Sequence, residues 1–354
     1  MKRVRLVDLG TVPAVRSQTC YHAAACALGE GSPDTIILVG PAEPYVCIGF
    51  HQDLDKEVDV ESCRTAGLPI YRREVGGGAV YLDRNQVFLQ WVFHPASLPA
   101  GVAERFGLFI EPLVRTYRGL GIDAVHRPVN DIHARGRKIG GTGAAAIGNA
   151  EVVVGSLMFD FDRPAMARVL RVSSEKMRDK VRKGLEDYMT TVRDELGGDP
   201  DRRSILDLYL RNCATVLEAE LVPGSWRPEE EARARELDGL FRSPGWLRQK
   251  GAPPRGGIKI HEDVRIHESD WKTPGGLIRA TVRLRGGRID EISITGDFMV
   301  LPRTAVRLME ESLTGRRAAR DELLSVVERL YREAGIQSPG IGPEDWAEAI
   351  SRAL

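Results

Sequence analysis

Glycine is unevenly placed in this chain, and its placement limits the available folds. Of 37 glycines in 354 residues, runs fall at 76–78, 136–143, 256–257 and 275–276. Glycine between apolar runs marks a turn, a bulge, or a point where a ligand or second backbone comes close. Around these runs, Val-, Ile- and Phe-rich stretches bounded by Gly, Pro or Asp predict strands. They fall at about 35–40, 45–50, 68–73, 78–82, 86–94, 151–160, 257–261, 277–285 and 289–296. Helical periodicity predicts helices at about 17–29, 101–120, 163–172, 174–184, 201–220, 228–241, 303–313, 317–334 and 343–353. Strands come in runs and so do helices. That predicts an α+β fold with a mixed sheet and packed helices, not a regular βαβ alternation.

The length fits two domains at about 100–200 residues each. The segment Gln249–Gly257 holds two prolines and three glycines, as a stiff exposed connector does. It divides the chain into a domain at 1–248, a linker at 249–256 and a small αβ domain at 257–354, where three strands precede three helices. Fifty basic residues balance fifty acidic ones. That argues against a dedicated nucleic-acid or membrane-surface binder, which carries a basic excess. No apolar run approaches the ~20 residues that span a bilayer, and the first residues lack a signal-peptide core. Five cysteines with no C-x-x-C pair suit a reducing compartment. A cytoplasmic monomer is expected.

Two segments carry chemistry. The first runs from Arg72 and Arg73 through Gly76, Gly77 and Gly78 to Ala79, Val80, Tyr81, Leu82 and Asp83. Backbone without side chains can turn its N–H groups onto a phosphate or carboxylate, and an adjacent arginine adds a permanent charge. A glycine-rich hairpin with a solvated arginine pair is the equal alternative. The second runs from Asn130 and Asp131 through Lys138 to Gly141-Thr142-Gly143-Ala144. A lysine between a turn and a Gly-Gly-x-Gly stretch can aim a compact ammonium at a phosphate or activated carbonyl. Asp131, seven residues earlier, can orient it across a hairpin. Arg135 and Arg137 read as a charged hairpin tip. Gly141–Ala146 also fits G-x-G-x-x-A, but it follows Arg137-Lys138 and not a buried strand, which argues against a dinucleotide turn. No P-loop motif is present. Residues 163–183 hold eight basic and two acidic side chains, a face for phosphates or an acidic partner, or an ordinary solvated helix. His22 reads as a core or cleft histidine, His261 and His267 as surface strand positions, and Cys213 as a core thiol.

Taken together, these segments resemble the lipoate–protein ligase family within the wider biotin/lipoate ligase group. R-R-x-x-G-G-G-A-V-[FY]-x-D is present from Arg72 to Asp83, and N-D-(…)-G-R-K-[IV]-x-G-x-A from Asn130 to Ala144. Val154-Gly155-Ser156-Leu157 follows, then Lys176–Lys183 and Thr190–Arg193. Lys272–Ala280 and Ile294–Phe298 resemble the ligases' accessory domain. The resemblance implies a class II synthetase-like catalytic domain with a fused accessory domain. It implies that lipoate and MgATP give lipoyl-AMP, whose acyl group then passes to a lysine of a lipoyl-carrier domain. That carrier would be a 2-oxoacid dehydrogenase acyltransferase subunit, a glycine-cleavage carrier or a sulfur-oxidation lipoate-binding protein. By resemblance, Arg72, Arg73, Gly76–Tyr81, Asn130, Gly155 and Ser156 line the nucleotide site, Lys138 and Asp131 are catalytic, and Asp131 is the candidate Mg²⁺ ligand. Apolar strands near Val46–Gly49 and Gly77–Val80 would hold the acyl tail.

The chain departs from the family at Leu82, where a His is usual, at Val153-Val154, where His-His is common, and at Tyr21-His22, where a Glu pair is frequent. The rival within the same fold is an octanoyl- or lipoyl-transferase, which holds the acyl group on a cysteine. Residues 64–212 contain none. A non-catalytic lipoate-binding protein is a third reading, against which the retention of Arg73 and Lys138 speaks.

Overall fold

The computed structural model describes residues 2–172, 174–250 and 264–354. Its strands are β1 (Lys2–Val12), β2 (Thr35–Pro41), β3 (Tyr45–Ile48), β4 (Ile70–Arg72), β5 (Val80–Leu82), β6 (Gln86–Phe93), β7 (Ala124–Arg127), β8 (Asp131–Ala134), β9 (Arg137–Ile147), β10 (Ala150–Met158), β11 (Ala219–Pro223), β12 (Val264–Thr273), β13 (Gly276–Arg285) and β14 (Arg288–Gly296). Eight of them form one mixed sheet in the order β11-β1-β2-β6-β10-β9-β8-β7. Within that sheet only β1 pairs in parallel, with β2 and β11. A small sheet, β4-β3-β5, lies against it, and β12-β13-β14 forms the second domain's meander. The α+β expectation holds.

The large sheet is buried on both faces. One face packs under helices Val102–Gly119 and Arg202–Val216. Val102, Phe106, Phe109, Leu113 and Tyr117 recur at helical spacing and meet Trp91 and Phe93. Each such side chain contributes about 1.5–3 kcal/mol of burial. The other face packs under helix Arg16–Cys26, helix Pro228–Arg242 and the small sheet. Strand alternation splits the small sheet cleanly. Tyr45, Cys47, Val80 and Leu82 face the large sheet, while Val46, Ile48 and Tyr81 face an outer cluster with Met158 and Met166.

The second domain backs its meander with helices Ala305–Leu313, Arg320–Ala334 and Pro343–Ser351; β13, β14 and these helices fall where expected, whereas β12 at Val264–Thr273 was not foreseen. Its first strand is β12. Residues 251–263, with most of the expected linker, the strand expected at 257–261 and His261, lie outside the described residues. Across the boundary, Lys56 pairs with Glu268 at 3.2 Å and Arg279 with Glu57. The Val102 amide donates to Gln337 Oε1 at 2.9 Å. No helix among the described residues is long and apolar enough to cross a membrane.

Candidate active site

The second glycine-rich segment is not a loop. It forms the hairpin of β8 and β9, and Gly141–Ala146 runs inside β9, which excludes a dinucleotide turn. The hairpin sets His133 opposite Lys138 and Asp131 opposite Gly141. Lys138 Nζ reaches forward along its strand to Asp131 Oδ1 at 2.7 Å, with both side chains partly open to solvent (29% and 23% exposed). A Cβ on residue 141 would stand 3.1 Å from Lys138 Nζ and 3.4 Å from Asp131 Oδ1. The missing side chain is what lets the pair lie flat across the strand.

The surroundings hold this pair in place. The Thr190 amide donates to Lys138 O at 2.9 Å. Arg137 and Arg135 pair with the buried Glu195 at 2.8 and 3.5 Å, and Thr190 Oγ1 donates to the same carboxylate at 2.7 Å. Arg135 stands at the hairpin tip as expected, 66% exposed, while Arg137 ties the segment beside Lys138 to Glu195. Sequence reasoning missed Glu195. Asn130 Nδ2 donates to Thr142 O, and the Thr142 amide returns a bond to Asn130 O at 2.9 Å, which ties the hairpin mouth. Gly155 lies opposite Thr142 on the next strand, where a Cβ would meet the Phe109 ring at 2.8 Å. Ser156 follows it, half-buried.

The first glycine segment packs against β9 from above: Val75 Cγ2 lies 3.1 Å from where a Gly143 Cβ would be. The two motifs thus converge, but the arginines beside the loop differ in role. Arg72 is fully buried. Its Nη1 donates to Gly49 O, Phe50 O and Gln52 O at 3.1, 2.8 and 2.6 Å, and its Nε and Nη2 donate to Leu247 O at 3.1 and 2.7 Å. Burial lowers its pKa to about 10. This corrects the nucleotide-contacting expectation: Arg72 ties loop 49–52 to the end of the first domain and has no face left for a ligand. Arg73 is half-buried and donates to Gly76 O and Gly78 O, each at 2.8 Å, and to Cys47 O at 3.3 Å. It shapes the glycine loop around its own guanidinium. Ala79 packs with the outer cluster. Tyr81 points there too, and burial pushes its phenol up to about 12. Val80 alone of the three faces the large sheet.

The loop is also covered. The Gly77 amide donates to Phe298 O at 3.3 Å, and Gly77 has φ +94°, a conformation suited to glycine. A Cβ on residue 76 would meet Phe298 O at 2.5 Å. Met299 Sδ accepts from the Ala144 amide at 3.1 Å, at the edge of β9 beyond its pairing with β8. Residues 297–301 of the second domain therefore lie between the two motifs, which the sequence did not signal. Glu74 and Arg303, also unforeseen, form an ion pair across this boundary. Among the described residues no group of three or more His, Cys, Asp or Glu could cage a metal.

Four of the five thiols are buried. Burial raises the pKa of Cys20 and Cys213 to about 12, that of Cys63 to about 11, and that of Cys47. Cys26 is exposed, but it sits beside Gly148 at the far end of the β9–β10 hairpin. Ten residues at about 3.4 Å set Gly148 about 34 Å along the strand from Lys138.

Comparison with known proteins adds the following. A family model for the lipoyl protein ligase A/B catalytic domain matches residues 21–213, and one for the bacterial lipoate protein ligase C-terminus matches residues 266–350. The chain is similar to octanoyltransferase LipM of Kyrpidia tusciae, 30% identical over 275 residues that cover 71% of this chain and 100% of that protein. It is similar in structure to a bipartite lipoate protein ligase solved in an archaeal lipoylation system with its E2 lipoyl domain, from Thermoplasma acidophilum. There the TM-score is 0.65 at 25% identity, covering 72% of this chain and 100% of that one. A lipoate-protein ligase A bound with ATP shares the fold, with a TM-score of 0.61 at 23% identity over 70% of this chain and 99% of that one.

Proposed function

Because the chain belongs to the lipoyl protein ligase A/B catalytic-domain family, we propose that it is an adenylating lipoate–protein ligase. The lipoate carboxylate attacks the α-phosphorus of ATP, the bond to the β-phosphate oxygen breaks, and pyrophosphate leaves. The neutral amine of a carrier lysine then attacks the acyl carbonyl of lipoyl-AMP, AMP departs with the bonding electrons, and the amine gives up its proton. Both steps build negative charge on oxygens around the same α-phosphate and carbonyl. Lys138 supplies the fixed positive charge for both, and Asp131 holds its ammonium in line. Asn130 fixes the hairpin mouth. Val80 and Cys47, facing the large sheet, line the acyl side.

ATP brings its own Mg²⁺. Such an ion keeps several waters and binds mainly through phosphates plus one or two carboxylates, and Asp131 is the one at hand. Lys138 already engages Asp131, and the described residues offer no preformed metal cage.

The observation that carries this reading is the charged Lys138–Asp131 pair open to solvent, while Cys47 on the acyl side is buried with its pKa raised by burial. An acyl-transferase needs a thiolate to carry the acyl group. The buried thiols are held neutral, and the exposed one lies at the other end of a hairpin. The fused domain matching the bacterial ligase C-terminus points the same way. The likeness to octanoyltransferase LipM supports the second reading, transfer of an octanoyl group from a carrier without ATP.

The test is an assay of the full chain with MgATP, lipoate and a lipoyl domain, scoring acyl-AMP and carrier mass gain. Both should appear only with ATP. Transfer from an octanoylated carrier without ATP, lost on Cys47→Ala, overturns the ligase reading in favour of the transferase. The exposed basic side chains Lys180, Arg182 and Lys183 lie on helix Glu175–Tyr188, whose following residue Met189 bridges Lys138, and suit an acidic carrier surface.

A further inference from the structure

Two buried polar atoms face each other at the domain boundary. Glu74 Oε2 and His22 Nδ1 each lack a hydrogen-bond partner and lie 3.8 Å apart. The other Glu74 oxygen accepts from Arg303 Nη1. The Glu74 side chain is only 1% exposed, while Arg303 reaches it from the second domain and remains 46% exposed. The Arg303 guanidinium also lies over the Phe50 ring, 5.4 Å from its centroid. This is a buried carboxylate of the first domain neutralised by a cation of the second, with a standby base on its free side.

The neighbouring contacts show what the ion pair closes. Beside it, Phe298 O takes the Gly77 amide, the Gly296 amide donates to His51 O at 3.0 Å, and the Phe298 ring stacks on His51 at 5.0 Å. Withdrawing the second domain would free the Gly77 amide but remove Arg303 and strand a carboxylate in a buried site. An uncompensated buried charge is costly, so it must find a proton or another cation.

We propose that Glu74, His22 and Arg303 form a proton-operated latch: Arg303 holds Glu74 while the second domain covers the glycine loop, and His22 takes a proton and pairs with Glu74 when the domain lifts. The charges facing these groups fix the sign. In the covered state His22 is held neutral, its pKa lowered to about 4 by burial and by the positive charges of Arg303 and of Arg233 on helix Pro228–Arg242. Phe241 packs edge-on against its other side, and the Tyr21 hydroxyl accepts from the Glu74 amide. Burial raises the Glu74 pKa and Arg303 opposes the rise, so losing Arg303 makes the carboxylate a stronger proton-seeking neighbour. Lifting the domain thus removes a cation and exposes an anion to His22. The lifted state binds a proton more tightly, and acid favours it through the ordinary histidine range near ~6.5.

The test needs no substrate and stands whatever reaction the site performs. Small-angle scattering of the full chain is recorded at about pH 5.5 and about pH 8, where a compact chain of this length has a radius of gyration of about 20 Å. The wild type should be larger at the lower pH. Arg303→Ala, which removes the cation that holds Glu74, should be enlarged at both. His22→Gln, which cannot gain a charge, should stay compact at both. A wild-type radius unchanged between the two conditions, or a pH response surviving in His22→Gln, overturns the latch. If His22→Gln does not fold by circular dichroism, Arg303→Ala decides: a compact radius at both pH values also overturns it.

Discussion

The two glycine-rich segments look alike in sequence and serve different physical ends. In β9, the missing side chain at Gly141 makes room for Lys138 and Asp131 to lie together in a partly open spot. At Gly76, the missing side chain admits backbone, since Phe298 O from the second domain would stand 2.5 Å from a Cβ. One segment clears space for a working charge and the other for a covering domain. The flanking basic residues follow suit. Lys138 keeps its ammonium accessible, while Arg72 spends its guanidinium on four carbonyls of the framework. Glycine next to a cation therefore signals a close approach, and only geometry says what approaches.

If the contrast is right, Lys138→Ala should lower adenylate formation by more than about tenfold with an unchanged melting temperature, since one preorganised charge is lost from a solvent-facing site. Near-wild-type turnover would remove the functional half of the comparison. Arg72→Met should do the reverse. Stranded carbonyls and lost bonds should cost about 3–5 kcal/mol, seen in calorimetry as a melting temperature lower by about 10 °C. The KM for ATP of the folded fraction should not change. A selective rise in that KM would return Arg72 to the nucleotide site.

The glycines themselves sharpen the contrast. Gly141→Ala should cut activity by about three- to tenfold at nearly constant stability, because the flexible lysine tip can shift away from the new methyl. Gly76→Ala meets backbone, which cannot yield as a side chain does. Overpacking of about 1–3 kcal/mol should part the domains, read as increased proteolytic nicking at the boundary. Equal effects from the two substitutions would dissolve the distinction.

Much of the fold was legible because its strands and helices carry strong apolar patterns, as at Gln86–Phe93 and Val102–Gly119. β9 was not, since Gly140–Ala146 is a run of glycines and small residues with poor strand propensity, and the surrounding sheet overrides it. β1 was hidden by the charges of Lys2, Arg3, Arg5 and Asp8 among its apolar residues. The Lys138–Asp131 approach was readable, because seven residues around a turn bring two strands into register. Arg72 was misjudged because adjacent strand residues face opposite ways, so two neighbouring arginines cannot share one task. Glu74 and Arg303 are 229 positions apart, and nothing local in either segment announces the other.

The smallest effect tests the rim of the site. Arg182 and Lys183 are exposed on helix Glu175–Tyr188, whose following residue, Met189, bridges the backbone of Lys138. If the open, charged half of the molecule is where a carrier arrives, reversing both charges should raise the carrier KM about two- to fivefold at low salt. Most of that difference should vanish where the Debye length falls to about 8 Å, near physiological ionic strength. The rates of adenylate formation should match the wild type, because neither side chain touches the Lys138–Asp131 pair. A carrier KM that ignores both mutation and salt would make this helix an ordinary solvated face, and would leave the covered glycine loop as the side from which a carrier approaches once the second domain lifts.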